Sequence, residues 1–311
     1  MINRRNFLRN TSLLAAGSLV SCNLGQMKTG KAAKNFGLQI YSLTVRRGED
    51  FTSDVPGGLK KVAAMGYSTL ELAGYNSQGR IGAVPMAEFK KYADDAGLKI
   101  VSTHVGMSNS LYNKDSMEQA KEFWKRAIDH HAAIGCKYIL QPGEPPMRST
   151  EDVAVVGEIF NEAGKIAKAA GMTFGFHNHS GEFMRVVPGG TEKLPLQGRR
   201  VPDSKIIFDA MIEATDPELV VFELDVYWAV MGLSDPVEYM KKYPNRIRIL
   251  HIKDRAVLGE SGFMNFQKIF EVAYENNLSD FFVELEGYSG GSQFEGVQGC
   301  AEYLMKAPFV K

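Results

Sequence analysis

The chain has 311 residues, 44% of them hydrophobic, and its 36 basic side chains balance 36 acidic ones. That length suits one large α/β domain or two ordinary ones. A formal net charge of zero leaves no electrostatic footprint for DNA or RNA, which needs a basic face to neutralise phosphates. Nucleic acid is therefore not an expected partner.

Residues 1–22 read as an export signal rather than as fold. Arg4 and Arg5 precede an apolar run at 13–20 that is too short to span a bilayer. An arginine pair ahead of a weak apolar segment resembles a twin-arginine signal. Leu19-Val20-Ser21-Cys22 resembles a bacterial lipobox, in which the cysteine becomes the lipidated first residue. The expectation is an exported lipoprotein of the periplasm or cell envelope of a bacterium, tied to the membrane only through a lipid anchor at Cys22. Residues 23–35, rich in Lys, Gly and Ala, read as a tether. Beyond it stand Cys136 and Cys300, too few for a disulfide framework. Cys136, inside GCKYIL, reads as a small buried hydrophobe.

After the tether one unit recurs. A helical stretch ends in glycine and a β-rich run follows at once, at Gly66, Gly97, Gly135 and Gly171, with spacings of 31, 38 and 36 residues. Glycine just past a helix supplies the left-handed conformation that closes it. Alternation of helix and strand at this period is the βα unit of a parallel sheet. In chain order, strands are predicted at 36–43, 69–75, 99–105, 138–141, 173–179, 220–227, 246–253 and 281–285. Helices are predicted between them at 56–65, 86–96, 117–134, 152–170, 207–215, 236–242 and 265–276. Eight strands and seven helices over 36–311 predict an α/β fold of the (β/α)8 TIM barrel type. A doubly wound sheet would want a glycine fingerprint after its first strand, and FGLQIYSLTVRRG has none. The irregular segment 184–204 reads as a lid or a disordered loop.

Barrel chemistry sits at the C-terminal ends of the strands. Those ends carry Gln39 and Tyr41, Glu71, His104, Gln141, His177 with His179, Asp225, His251 with Lys253, and Glu284 with Glu286. In FGFHNHS the two histidines are two residues apart, so alternation points both the same way, into the mouth. Asp225 within VVFELDVYW, His251 within IRILHIKD and Glu284 within FFVELE each end an apolar strand, where an unpaired charge is costly to bury. Imidazoles and carboxylates converging there suit Mn2+, Zn2+, Co2+ or Fe2+ better than Ca2+.

In order on the last four strands, HNHSGEF, ELDVYW, HIKD and VELEG resemble the xylose-isomerase-like TIM barrels, the sugar phosphate isomerase/epimerase and AP-endonuclease-2-type superfamily. The resemblance covers nearly all of 36–311. It implies one divalent cation, with Mn2+ favoured over Co2+, Mg2+, Fe2+ or Zn2+, held by His177, Asp225, His251 and Glu284. It makes Glu284 a ligand and base, and offers His179, His104 and Lys253 as acids or bases. Glu71, Gln141, Trp228, Glu182 and Tyr41 are the expected sugar contacts. Trp228 stands where many members have histidine. The nuclease branch needs further histidines at strands four and six that this chain lacks.

Ketose epimerases of that family place glutamate at strand five, whereas this chain has His177. Glu182 lies five residues on and is the nearest carboxylate that could replace it. A symmetrical two-base epimerisation is therefore disfavoured. A one-sided enolisation next to a carbonyl, followed by β-elimination from a keto-sugar glycoside, is the expected reaction. The alternatives are a sugar isomerase or ketose epimerase and, from another class, a non-catalytic sugar-binding lipoprotein. Barrels of that family often pair, so a homodimer is expected from the resemblance alone.

Overall fold

The structure, a computed structural model, describes residues 34–44, 51–198 and 201–311. The arginine pair, Cys22 and most of the tether lie outside the described residues. The last two tether residues already belong to the fold. The Lys34 ammonium donates to the Leu304 carbonyl at 2.9 Å, and the Asn35 side chain donates to the Ser279 carbonyl at 3.2 Å.

Eight parallel strands form the barrel: β1 (Gly37–Gln39), β2 (Thr69–Leu72), β3 (Lys99–Thr103), β4 (Tyr138–Gln141), β5 (Thr173–His177), β6 (Val220–Asp225), β7 (Ile247–Ile252) and β8 (Asp280–Val283). They pair in the order β3-β2-β1-β8-β7-β6-β5-β4. The two outer strands of that row meet through a parallel bridge between His104 and Leu140, where the Val105 N–H donates to the Leu140 carbonyl at 2.8 Å. Around them run α1 (Val55–Ala64), α2 (Met86–Asp95), α3 (Met117–Ala132), α4 (Thr150–Ala169), α5 (Ile207–Ala214), α6 (Pro236–Lys242), α7 (Phe266–Glu275) and α8 (Gln293–Lys306). The repeating glycines take φ values of +101°, +76°, +74° and +75°, the left-handed geometry expected of them.

Three expectations need correction. The first strand stops at Gln39, because Tyr41–Thr44 turns into a short helix. The sixth stops at Asp225, whose carboxylate accepts from the Trp228 N–H at 2.8 Å and caps the helix Val226–Met231. Segment 184–204 is stapled in place. Arg185–Val186 pairs antiparallel with Lys205–Ile206, Arg185 and Leu194 exchange backbone hydrogen bonds, and no described residue of the segment lines the mouth cavity. The sequence reading also lacked α8, although Ser292 and Glu295 form a capping box at its start.

Apolar side chains fall into two bodies. The larger lies between strands and helices; the smaller, Val101, Tyr138, Leu140, Val221, Ile249 and Phe282, fills the barrel interior. Gly175 faces this plug: an added Cβ would stand 2.7 Å from Leu140 Cδ2 and 2.8 Å from the Val221 carbonyl oxygen. Two residues further along each strand the interior turns polar. Val221 is followed by Glu223 and Asp225, Ile249 by His251 and Lys253, and Phe282 by Glu284 and Glu286. A bulge in β7 sets this alignment. Phe222 pairs with Ile247 but Glu223 pairs with Ile249, which brings Asp225 level with His251. Bulges of this kind re-aim side chains beside active sites.

Candidate active site

Above the plug lies a layer of carboxylates and imidazoles with almost no solvent. Glu71, Glu223, Asp225 and His251 are fully buried, and His177 is 1% exposed. Register places Gln39 beside Glu71, and the Gln39 amide donates to Glu71 Oε2 at 2.9 Å. The same carboxylate oxygen meets His251 Nε2. Glu223 Oε2 lies 2.9 Å from His104 Nε2 and 3.0 Å from His177 Nδ1. Glu71 and Glu223 therefore hold one nitrogen of His251 and of His177, fixing the rings from behind.

Their other sides face a second set of groups. His251 Nδ1 is 3.7 Å from Asp225 Oδ2 and 3.5 Å from Glu284 Oε2. His251 Nδ1 and Asp225 Oδ2 are buried with no hydrogen-bond partner. Buried polar atoms are ordinarily satisfied, so these two neighbouring atoms are the ones a bound cation would satisfy. His177, Asp225, His251 and Glu284 each offer an atom within 4.8 Å of the others. Two imidazole nitrogens and two carboxylate oxygens are a donor set for a transition-type divalent cation, and carboxylates behind ligating histidines are the usual support for one. The residues present fit such an ion. His104, His177, Glu223 and His251 also lie close enough together to hold one, but there Glu223 already engages the histidine nitrogens.

Charge follows from the packing. Burial opposes a charged His251, yet in the metal-free protein Glu223 and Glu71 outweigh it and hold its pKa well above the ordinary value, so a cation held at Nδ1 would displace a proton. Burial and the neighbouring His251 and His104 keep His177 well below it, and so neutral. Burial, with Glu71 beside it, lifts Glu223 to about 7. Burial lowers His179 as well, so it too is a neutral imidazole at physiological pH. His104 is raised: burial works against its charge, but Glu71 and Glu223 overcome it.

A cavity of about 760 Å³ opens above this layer, walled among others by Tyr41, His104, Gln141, His177, His179, Glu284 and Glu286. Tyr41 sits at its lip and is 41% exposed. Several expected roles change. Glu71 lies beneath the histidines, is not among the residues that line the cavity, and holds His251. The Gln141 amide is used within the protein: its oxygen accepts from the Met107 N–H at 2.9 Å and its nitrogen donates to the Gly143 carbonyl at 3.3 Å. Glu182 is fully buried and accepts from the His179 N–H at 2.8 Å, so it caps its own turn and does not replace His177. Lys253 is 2% exposed and lies 2.8 Å from Glu284 and 2.6 Å from Glu286. Despite burial, the charges of Glu284 and Asp225 lift its pKa above the ordinary value, which makes it a fixed cation rather than a base. Trp228 stands behind the wall, under the Lys253 ammonium at 5.1 Å and 5.8 Å from the His179 ring.

The sequence reading passed over Glu223, although its two-residue offset from Asp225 inside VVFELD puts both on one side of the strand. It also passed over Asn178, which accepts from the Asp225 N–H at 3.1 Å and joins the ends of β5 and β6.

The model of a family described as "Xylose isomerase-like TIM barrel" matches residues 59–304. The chain belongs to that family. Inosose dehydratase of Geobacillus kaustophilus is 24% identical over 223 residues, which cover 67% of this chain and 63% of that protein. The chain thus spans slightly less than two thirds of that relative's length. Two solved structures from Parabacteroides distasonis, both described as sugar phosphate isomerase/epimerase, are similar over almost their whole length. One is 48% identical with a TM-score of 0.82, covering 89% of this chain and 100% of that one. The other is 46% identical with a TM-score of 0.84, covering 91% and 97%. Among its relatives, then, this xylose isomerase-like barrel counts enzymes that modify sugars.

Proposed function

We propose that this chain is a divalent-metal-dependent carbohydrate lyase that removes the proton beside the carbonyl of a keto-sugar glycoside and expels the substituent on the next carbon. The observation that carries this is the convergence of the unpartnered His251 Nδ1 and Asp225 Oδ2, both fully buried, with His177 and Glu284, which line the cavity beside His104 and His179. His177, Asp225, His251 and Glu284 would hold a divalent cation, Mn2+ by preference, which would supply positive charge to a carbonyl oxygen and so acidify the neighbouring C–H.

The chain's own groups do the rest. His179, kept neutral by burial, is the base on the cavity wall. It takes the proton from C2 of a 3-keto sugar. The C–H electron pair becomes the C1–C2 double bond as the C1–O bond breaks. His104, whose pKa Glu71 and Glu223 raise against its burial, is the acid that gives a proton to the departing oxygen. Lys253 keeps Glu284 ionised: burial opposes this, but the ammonium holds the Glu284 pKa far below the usual carboxylate range. The dehydratase relative supports elimination. The Parabacteroides relatives' description favours a second reading, in which the proton returns and the product is an isomer.

No lysine or arginine lines the cavity among the described residues, while Glu144, Glu284 and Glu286 do. That lining favours an uncharged sugar over a sugar phosphate. It accords with an envelope lipoprotein anchored through Cys22, which is part of the same proposal. The test is proton NMR of the metal-loaded enzyme with a methyl 3-keto-glucoside in D2O. Methanol release with loss of the C2 proton supports the lyase. Deuterium at C2 with the glycoside intact replaces it by isomerisation, and no exchange at all refutes both.

A further inference from the structure

The cavity has two sides of different chemistry. Strands β5 to β8 bring the cation-holding group to one of them. The loops after β2, β3 and β4, together with α3, build the other, where Ala73, Tyr75, Met107, Phe123 and Pro142 supply the apolar wall and Ser108 and Asn109 the neutral polar groups beside it. The charged side chain of those loops on the cavity, Glu144, is already paired with Lys193 at 2.7 Å. Clefts of roughly 300–1,000 Å³ accept ligands of several rings, and this one measures about 760 Å³. A single sugar ring seated over the cation-holding group leaves the apolar side empty.

That side is built and held. Tyr75 begins a three-stranded ribbon, Tyr75–Asn76, Arg80–Ile81 and Val84–Pro85, inserted between β2 and α2. The Gly82 N–H donates to the Gly74 carbonyl at 2.9 Å and the Met86 N–H to the Gly79 carbonyl at 3.0 Å, which closes the ribbon on itself. Gly79, at φ +70°, lies against His130, where an added Cβ would stand 3.3 Å from the imidazole. The Tyr75 hydroxyl is 2.9 Å from His130 Nδ1, and its ring lies 4.9 Å from the ring of His131. His131 is itself fixed at both nitrogens, by the Ala127 carbonyl at 2.7 Å and by Thr103 Oγ1 at 3.1 Å. Phe123 is half-buried, edge-on to Trp124 at 5.2 Å. The Met107 backbone is tied to Gln141. The two rings are therefore set before a ligand arrives, which limits the entropy lost on binding, and the Met107 side chain is nearly buried beside them.

We infer that Tyr75, Met107 and Phe123 form a second subsite, which receives the ring attached through the glycosidic oxygen. The ring that fits is a pyranose presenting its C–H face or an aryl group, because both offer apolar area to a fixed aromatic wall. This rests on the reading of the cation-holding group as the place where the sugar carbon reacts. It narrows the substrate from free monosaccharides to glycosides with a ring-bearing aglycone.

Binding tests the subsite without chemistry, using glucosides that carry no keto group. Titration calorimetry compares methyl β-D-glucoside, phenyl β-D-glucoside and cellobiose on the metal-loaded wild type. The ring-bearing ligands should bind about tenfold more tightly than the methyl glucoside, the scale of an aromatic contact. That preference should vanish in Tyr75→Ala and in Phe123→Ala and survive in Tyr75→Phe, which keeps the ring. Tighter binding of cellobiose assigns the subsite to a second sugar, and tighter binding of the phenyl glucoside assigns it to an aryl group. Equal affinity for all three ligands, binding of none, or a preference that survives both alanine variants overturns the subsite. Should an alanine variant fail to fold, Phe123→Leu keeps the volume and must still lower the preference. Absence of C2 exchange in the keto-glucoside assay, with the binding preference intact, refutes the lyase reading and leaves the subsite standing.

Discussion

Replacing Glu223 with glutamine isolates the support behind the cation-holding group. Its Oε2 lies 2.9 Å from His104 Nε2, 3.0 Å from His177 Nδ1 and 3.3 Å from His251 Nε2. Glutamine has the same shape but only one oxygen that accepts, and its other half only donates. His251 keeps Glu71, whereas His177 loses its carboxylate partner and must share or turn. Losing such a partner typically lowers metal affinity 10- to 100-fold, about 1.4–2.8 kcal/mol. The metal-free fold should respond in the opposite sense. Burial and Glu71 lift the Glu223 pKa from an ordinary 4.5 to about 7, so ionising it opposes folding. Wild-type stability therefore falls as pH rises from the unfolded value through about 7, and glutamine removes that loss. Titration of Mn2+ into chelator-stripped protein at pH 7.5, alongside thermal melts, reads both effects. A Mn2+ affinity within about twofold of wild type would refute the supporting role, since the expected loss is at least tenfold.

Three further outcomes are expected. Glu182→Gln keeps an oxygen for the His179 N–H, yet burial and Glu144 lift the Glu182 pKa to about 8, so the wild type should weaken as pH rises toward 8, with a ceiling of about 5 kcal/mol. Its melting curve should coincide with wild type near pH 5 and lie above it at pH 8.5; curves that stay together throughout contradict this. Phe282→Ala empties the centre of the barrel plug, where Phe282 is 1% exposed, and should lower the urea unfolding free energy by about 3–5 kcal/mol. A loss below about 1 kcal/mol would mean the plug is not close-packed. Glu284→Gln should cut turnover of a keto-glucoside at least about 100-fold while an unoxidised glucoside still binds; retained turnover removes Glu284 from the reaction.

Much of the barrel was legible because each βα unit writes its own signals. Gly66, Gly97, Gly135 and Gly171 close helices, and the runs after them are apolar because the strands are buried on both faces. Strand ends were less legible. Tyr41–Thr44 and Val226–Met231 continue strand-like composition but turn helical, the second because Asp225 caps it. Within the site, the histidines and carboxylates at strand ends were readable from alternation. Their division of labour was not, because it depends on partners far apart in the chain. Glu71 is 180 residues from His251 and Glu223 is 119 from His104. Nothing local distinguishes a carboxylate that faces sugar from one that braces an imidazole. For the same reason nothing in HIKD marks Lys253 as the ion-pair partner of Glu284 and Glu286 rather than as an acid or base.

The most direct test of the account is anomalous diffraction at the manganese edge from crystals grown with Mn2+. One peak within ligand distance of His177, Asp225, His251 and Glu284 is predicted, with Glu71 and Glu223 outside it. A peak centred instead between His104, His177, Glu223 and His251, or no peak at all, would contradict the placement on which the proposed reaction depends.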